Sequence, residues 1–444
     1  MNQDQHGWVA EGSRAYSNLK GIRKICSDMY NLSETYLRQI NNNSSDYVLK
    51  VSPQETEDTY KGRLQNALPM NHLAEGVDSA SGFLLENFEV DTGDYTDPDL
   101  QEWLLDLTGD ETSIEGLVST MSLFTWLYGS APWFIDYTRY DSSIAVNGQI
   151  SQKDKMQLNL RPYVKLVSPD DLLEASPITD NGIILPGRLR IRSKYMTYWD
   201  FDTNSFCTTE KEIEEVLIIT REGVEVYHKP KDKWEVKTPL QPSTNRLIAG
   251  AVLIDAYAYM MGTPPFQDVA VIQSLLMAAE ADTGYITSIA QIPFLFGKEL
   301  DSLGGDGKLQ VGPVFLLKGL KDSDIKWIEL SGKSIEAGVA RIRRHSENAQ
   351  AITGQIYAGL SSGEQTATSQ ILSMAGMKRY FARFKQSMED NLTAMLNGML
   401  EREGKPVPKE ARVRICPKDD ISGSVEPSTV VDANIENISD SAGI

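Results

Sequence analysis

A chain of 444 residues that is 41% hydrophobic carries enough apolar material for a sizeable core and for division into two or more parts. Its formal net charge of −19, from 62 acidic and 43 basic residues, excludes an unaided grip on nucleic acid, which needs clustered Lys and Arg to displace counterions. It does not exclude a surface that nucleic acid passes without sticking. Three widely spaced cysteines, Cys26, Cys207 and Cys416, offer no zinc-like pairing and fit a reducing cytosol. Met1–Ala10 is polar and lacks the apolar core of a signal peptide. The most apolar run, Leu247–Met261, holds Asp255 and is shorter than the roughly 20 residues a membrane span needs, so it is expected as buried helix or strand.

The first 130 residues read as helices. Tyr16, Leu19, Ile22, Cys26 and Met29 share one helical face. Ser52-Pro53-Gln54-Glu55 combines a cap, a first-turn proline and a glutamate three residues on, which predicts a helix starting at 53. Pro69 predicts a bend, because proline cannot donate to the preceding turn, and Leu73, Val77, Ala80 and Leu84 resume the stripe beyond it. Asp97-Pro98 opens a short helix expected to end near Leu107 with Gly109 as its stop, and Ile114, Leu117, Met121, Phe124 and Tyr128 mark another. After Gly129 the texture changes: Trp133–Thr138 and Tyr163–Val167 are rich in β-branched and aromatic residues. Asn147-Gly148 reads as an exposed loop, whereas Asn181-Gly182 and Glu222-Gly223 lie between apolar runs and predict hairpin turns. Residues 130–245 are therefore expected to be mostly antiparallel β.

Three amphipathic helices follow. In 264–290, Phe266, Val269, Ile272, Leu275, Leu276 and Ala279 form one stripe that Tyr285, Ile286 and Ile289 continue. In 333–356, Ile335, Val339, Ile342, Ala349, Ile352 and Ile356 form a narrower stripe backed by Lys333, Arg341, Arg343, Arg344 and Glu347. In 367–402, Met374, Met377, Phe381, Phe384, Met388, Leu392, Met395 and Met399 alternate steps of three and four, giving a helix roughly 50 Å long. A helix of that length packs along something extended or along copies of itself. Between the first two lies a turn-rich β segment, 293–332, in which Asp306-Gly307 turns a hairpin and Val314–Leu317 and Ile325–Leu330 read as strands. Between the last two lies a Gly/Ser loop, 357–366. From about 417 the chain is polar and acidic, an expected mobile tail.

Catalytic motifs fail on context. Gly359-Leu360-Ser361-Ser362-Gly363 matches a Gly-x-Ser-x-Gly elbow, but a helix precedes it where a buried strand is required. Gly332-Lys333-Ser334 resembles the end of a phosphate-binding loop, yet Trp327 stands where its first glycine belongs, which leaves Lys333 as a helix start. Gly304-Gly305-Asp306-Gly307 reads as a turn, lacking both the dinucleotide-binding register and a following helix. His6, His72, His228 and His345 include no helical metal pair. Carboxylate pairs such as Asp170-Asp171 and Asp419-Asp420 are what 62 acidic residues produce as solvated surface. No catalytic residue, cofactor or metal is expected.

Several local runs carry a family resemblance: Glu57-Asp58-Thr59-Tyr60-Lys61-Gly62-Arg63, Arg161-Pro162-Tyr163, Pro264-Pro265-Phe266-Gln267-Asp268-Val269-Ala270 and Gly363-Glu364-Gln365-Thr366-Ala367-Thr368. In this order over residues 50–402, with the helix, β segment, helix, loop and long helix, the chain resembles the portal proteins of tailed bacteriophages. That family forms a ring at the capsid vertex through which DNA is packaged and ejected. The resemblance implies an α+β, ring-forming portal fold: a wing over 1–262, stem helices over 263–292 and 333–356, a clip over 293–332, a tunnel loop over 357–366, and a long kinked helix over 367–403 running toward wing and crown. A strand and the tail would occupy 404–444. Gln365 interrupts the family's Glu-Thr-Ala-Thr-like run, and the chain ends soon after 416 where many portals continue, so little crown is expected.

The same resemblance implies partners: about twelve copies of the chain, double-stranded DNA, terminase, a head-to-tail adaptor and the major capsid protein, in a virion assembled in the host cytoplasm, with no membrane. The DNA-facing loop would present Gly359, Ser361, Ser362, Gly363 and Gln365, with no Lys or Arg among them. Clip docking would involve Asp306, Gly307, Val314, Phe315 and Trp327. Twelve copies scale to roughly −230 charges, so a lumen of that sign limits adhesion of DNA and also opposes assembly. Subunit contacts must then be large and apolar, or must pair Arg341, Arg343 and Arg344 with a neighbour's carboxylates. The alternatives are a soluble serine hydrolase using Ser361 and a structural scaffold that forms no ring.

Overall fold

The computed structural model describes residues 7–32, 56–65, 67, 71–137, 158–180, 182–200, 205–229, 233–242, 247–290, 294–297, 325–328, 332–357 and 367–417. After a 3-10 turn at Gly7–Ala10 come α1 (Arg14–Tyr30), α2 (Glu57–Gln65), α3 (His72–Asn87), β1 (Phe88–Asp91), α4 (Pro98–Trp103) and α5 (Ile114–Tyr128). The β-rich stretch holds β2 (Ser130–Tyr137), β3 (Pro162–Leu166), β4 (Leu172–Asp180), β5 (Ile183–Asp200), β6 (Ser205–Thr220), β7 (Gly223–His228), β8 (Glu235–Pro242), β9 (Ala249–Leu253), β10 (Ala256–Ala258) and β11 (Met261–Gly262). Then follow α6 (Gln267–Ala290), β12 (Phe294–Gly297), β13 (Ile325–Ile328), α7 (Lys333–Tyr357), α8 (Ala367–Arg402) and β14 (Arg414–Pro417). The mixed helix and sheet composition matches the expected α+β class, and none of the described sheets closes into a barrel.

Local chemistry sets the boundaries. Thr56 caps α2: its Oγ1 accepts from the Thr59 N–H at 3.2 Å, and Glu57 and Asp58 place negative charge in the first turn. The described helix therefore begins later than the predicted start at 53; residues 51–55 and Pro69 lie outside the described residues. Asp97 caps α4, accepting from the N–H groups of Asp99 and Leu100. α4 stops at Trp103, short of the expected Leu107, because Leu107 is bound elsewhere: its N–H donates to Thr112 and its carbonyl accepts from Val164. Ser113 starts α5 and Gly129 ends it in the left-handed region at φ 82°, where a side chain would also overlap the Thr263 backbone.

Contacts divide the chain into two units, Met1–Asp28 with Ala74–Gln267 and Gly354–Ile444, and Met29–Leu73 with Asp268–Thr353.

The first unit is built on β. A three-stranded antiparallel sheet, β3-β2-β9, and a five-stranded antiparallel sheet, β4-β5-β6-β7-β8, supply its frame. Both predicted hairpins form, with Asp180 opposite Ile183 and Ile219 opposite Val224. Leu247–Met261 resolves as strand, β9 and β10, rather than helix. One core cluster joins Tyr16 and Leu19 of α1 to Phe134, Leu189, Ile191 and Ile219. A second joins Val9 to Val216, Ile218, Tyr227 and Trp234. The C-terminal half of α8 lies against β9, with Leu253 N–H donating to Ser387 Oγ at 2.9 Å and Trp133 Nε1 donating to Asn391 Oδ1 at 2.8 Å. Trp126, fully buried, centres an aromatic group with Phe266 at 6.0 Å and Phe381 and Phe384 at 5.3 Å. β14 pairs with β1, while on its other edge Val413 N–H donates to Thr393 Oγ1 and Ile415 N–H donates to Glu389 Oε1.

The second unit is mainly helical. Gln273, 1% exposed on α6, ties its segments together: its Oε1 accepts from Leu73 N–H, and its Nε2 donates to the Met29 carbonyl and to Asn71 Oδ1. β12 and β13 pair antiparallel from Phe294 opposite Ile328 to Gly297 opposite Ile325. β13 falls within the expected strand Ile325–Leu330, and β12 is its partner; Asp306-Gly307 and Val314–Leu317 lie outside the described residues.

Candidate functional site

The second unit holds the best candidate site, a helix that leaves, a strand pair, and a helix that returns. α6 begins after Pro264-Pro265, which fix the entry of the chain, and α7 begins at Lys333 immediately after Gly332, as its sequence predicts. Across the helices Thr283 meets Gly338 and Asp282 meets Arg341; across the strands Phe294 meets Ile328 and Gly297 meets Ile325. The midpoints of the four pairs fall within one residue of each other, so the described parts of the two helices and the two strands run antiparallel in nearly the same register. Gly338 permits the approach: a Cβ there would overlap Thr283 Oγ1.

Charge is arranged around the crossing. Asp282 accepts from Arg63 Nη1 of α2 at 2.8 Å and from Arg341 Nη2 of α7 at 3.3 Å, one carboxylate between two guanidinium groups. Arg343 pairs with Glu347 one turn on, at 2.7 Å. His72 Nε2 lies 3.2 Å from Ser346 Oγ. Partial burial, with Arg344 and Arg341 nearby, holds His345 below the ordinary imidazole value. Glu280 on α6 is 9% exposed and its Oε2 has no hydrogen-bond partner among the described residues; burial pushes its carboxyl up to about 7.

The same two helices expose several apolar side chains. Val271, Leu275 and Ile286 on α6 are 38%, 50% and 38% exposed and share a helical face, and Val339 on α7 is 53% exposed. The sequence stripe assigned Leu275 to the buried side beside Leu276, yet Leu276 is the buried one at 1%. On α7 only Ala349 is buried among residues 332–353. Its apolar stripe is only partly covered by its own chain: Ile335, Ile342 and Ile352 are half-buried and Val339 is exposed.

Of the sequence candidates, Arg341 and Arg343 therefore have partners within the chain, and Arg344 is exposed. Trp327 lies in β13 opposite Leu295. Gly359, Ser361, Ser362, Gly363, Gln365, Asp306, Gly307, Val314 and Phe315 lie outside the described residues. Sequence reasoning missed Asp282, whose only signal was an acidic residue on an otherwise apolar helix, and Glu280 for the same reason. No group of three or more His, Cys, Asp or Glu able to hold a metal ion occurs among the described residues, and no described helix is long and apolar enough to cross a membrane.

No family model matches the chain, and no curated protein matches it. Solved structures do. A chain from the virion of a native gene transfer agent (GTA) particle is 12% identical, with 93% of this chain and 96% of that chain covered and a TM-score of 0.39. A chain from the neck of the native GTA particle, computed with C12 symmetry, is 11% identical over 90% of this chain and 93% of that chain, with a TM-score of 0.38. One from the neck of the empty particle, computed with C6 symmetry, is 11% identical over 89% and 93%, with a TM-score of 0.37. The solved chains to which this one is similar along most of its length are thus components of a virion and of its neck.

Proposed function

We propose that this chain is a phage-type portal protein, a structural subunit whose copies close into a ring at a capsid vertex and conduct DNA during packaging and ejection. The observation that carries the reading is the antiparallel pairing of α6 with α7 and of β12 with β13 about nearly one midpoint, followed by the 36-residue α8. In this reading α6 and α7 are the stem, the β12–β13 end is the clip that docks terminase and later the head-to-tail adaptor, and 357–366 is the tunnel loop facing DNA. The exposed apolar residues Val271, Leu275 and Ile286 of α6 and Val339 of α7 supply apolar subunit contacts that a chain of net charge −19 needs to assemble against its own repulsion. Arg344, with Arg341 and Arg343 where they exchange partners, faces a neighbour's carboxylates. The number of copies, about twelve, is the one the family resemblance implies. DNA contacts are sequence-blind, and the protein has no catalytic role.

Particle images and solution mass of the purified full-length protein test this reading. A ring with a central hole is the expected result. A compact particle with the mass of one or two chains overturns it and leaves a scaffold protein.

A further inference from the structure

In the first unit β5 and β6 run together well past the sheet they belong to. β4 pairs with β5 as far as Leu172 opposite Ile191, and β7 pairs with β6 as far as Glu215 opposite His228. Beyond these points Lys194–Asp200 and Ser205–Glu214 pair only with each other among the described strands, a ribbon about 23 Å long. Two strands alone are marginal in water without a third strand or a packed face.

Hydrogen bonds at the root of the ribbon identify its free edge. Arg192 N–H donates to the Asp171 carbonyl, so the even positions of β5 face away from β6; Lys229 N–H donates to the Glu214 carbonyl, which gives β6 the matching phase. The register is regular from Arg188 opposite Thr220 to Thr197 opposite Lys211. Lys194 and Met196 therefore turn their backbone N–H and C=O groups outward, while Ser193, Tyr195 and Thr197 are bonded in the ladder to β6. The β6 edge is a poorer template, because that strand takes up the extra residues of the shift between Thr197 and Trp199 and bends there. Other edges of this unit are covered or broken. Val164 N–H of β3 donates to the Leu107 carbonyl, Leu253 N–H of β9 donates to Ser387, the Leu173 carbonyl of β4 accepts from Ser13, and β8 contains Pro239 and Pro242. The β5 edge at 193–197 has no such cover among the described residues.

We propose that this edge of β5 takes a strand from a second copy of the chain, joining neighbours by main-chain pairing. The inference rests on the ring reading, in which each copy stands beside the next, and adds a contact apart from α6 and α7. The ribbon offers about 17 residues, close to the 20–30 a side of a standard interface. Pairing through backbone groups needs no opposite charge, which suits copies that each carry −19. The contact is heterologous, β5 of one copy meeting a different segment of the next, as ring closure requires.

Amide hydrogen exchange on the assembled full-length protein, read residue by residue by fragmentation mass spectrometry, tests it. A free edge gives alternation, with Lys194 and Met196 exchanging freely between protected Ser193, Tyr195 and Thr197. A paired edge removes the alternation and slows Lys194 and Met196 by about tenfold or more. Met196→Pro deletes an outward N–H and spares the ladder to β6, so it should leave the thermal melt unchanged and raise the concentration for half-assembly by about tenfold. Tyr195→Pro deletes a ladder donor and should lower the melting temperature instead. A ring that keeps the alternation, or that forms in Met196→Pro as in the wild type, overturns this inference and leaves the ring reading standing. Loss of the alternation in a two-chain particle keeps the edge contact and overturns the ring. A single-chain particle at every concentration overturns both.

Discussion

Two helices of similar sequence texture meet opposite fates. The C-terminal half of α8 and the whole of α7 both present apolar residues every three or four positions, yet Phe384, Met388, Leu392, Met395, Leu396, Met399 and Leu400 of α8 are at most 1% exposed, whereas α7 buries only Ala349 over 332–353. The difference lies in what stands opposite. α8 faces β9 and the Trp126 aromatic group, which belong to its own unit. α7 meets its own chain at few places, chiefly Gly338 on Thr283 and Arg341 on Asp282. Periodicity reports that a helix has an apolar face; it does not report whose surface covers it.

This contrast can be broken in graded steps. Phe384→Ala should have the largest effect on the chain's own stability, a loss of about 3–5 kcal/mol in urea unfolding, because it removes a fully buried ring packed against Trp126. Gly338→Val should cost about 1–3 kcal/mol by forcing α7 away from Thr283, and the same experiment reads it. Glu280 gives a pH signature. Its folded value of about 7 lies above the ordinary 4.5, so the folded state holds the proton more tightly in between. Stability should therefore be greatest below the unfolded value and fall as pH rises toward 7, by about 1–3 kcal/mol, and Glu280→Gln should remove that slope in urea titrations across the range.

Val339→Asp marks the opposite end of the comparison. On an exposed face it should change chain stability by no more than about 0.5 kcal/mol, yet reduce the mass of the assembly measured by light scattering. Arg341→Glu combined with Arg344→Glu should likewise weaken the assembly, at a cost to the single chain of no more than about 1 kcal/mol for the partly exposed Arg341–Asp282 pair. If Val339→Asp unfolds the chain as Phe384→Ala does, the contrast between α7 and α8 is wrong.

Much of the architecture was legible because it rests on local rules. The helix start at Asp97-Pro98, the hairpin turns at 181–182 and 222–223 and the long period of α8 each leave a mark within a few residues. What could not be read depends on distant partners. Nothing near Leu107 announces that its backbone belongs to Thr112 and Val164. Trp126 lay off the predicted stripe of α5, yet it is the residue around which Phe266, Phe381 and Phe384 gather. The burial of Arg23 depends on Ser130 and Pro169, more than a hundred residues away, to which its guanidinium donates. Of the candidate site, the order of helix, strands and helix was readable; the exposure of Leu275 and the role of Asp282 were not, because both depend on how α6 lies against α2 and α7.

The outer edge of β14 has a consequence for any chain that associates through helix faces. An open strand edge is a template that each new copy can extend, and such contacts repeat without closing. Here the N–H groups of Val413 and Ile415 are already taken by Thr393 and Glu389 of the helix alongside. Two donors beside and on that edge are therefore already occupied within the chain, which makes it a poorer template for a further strand.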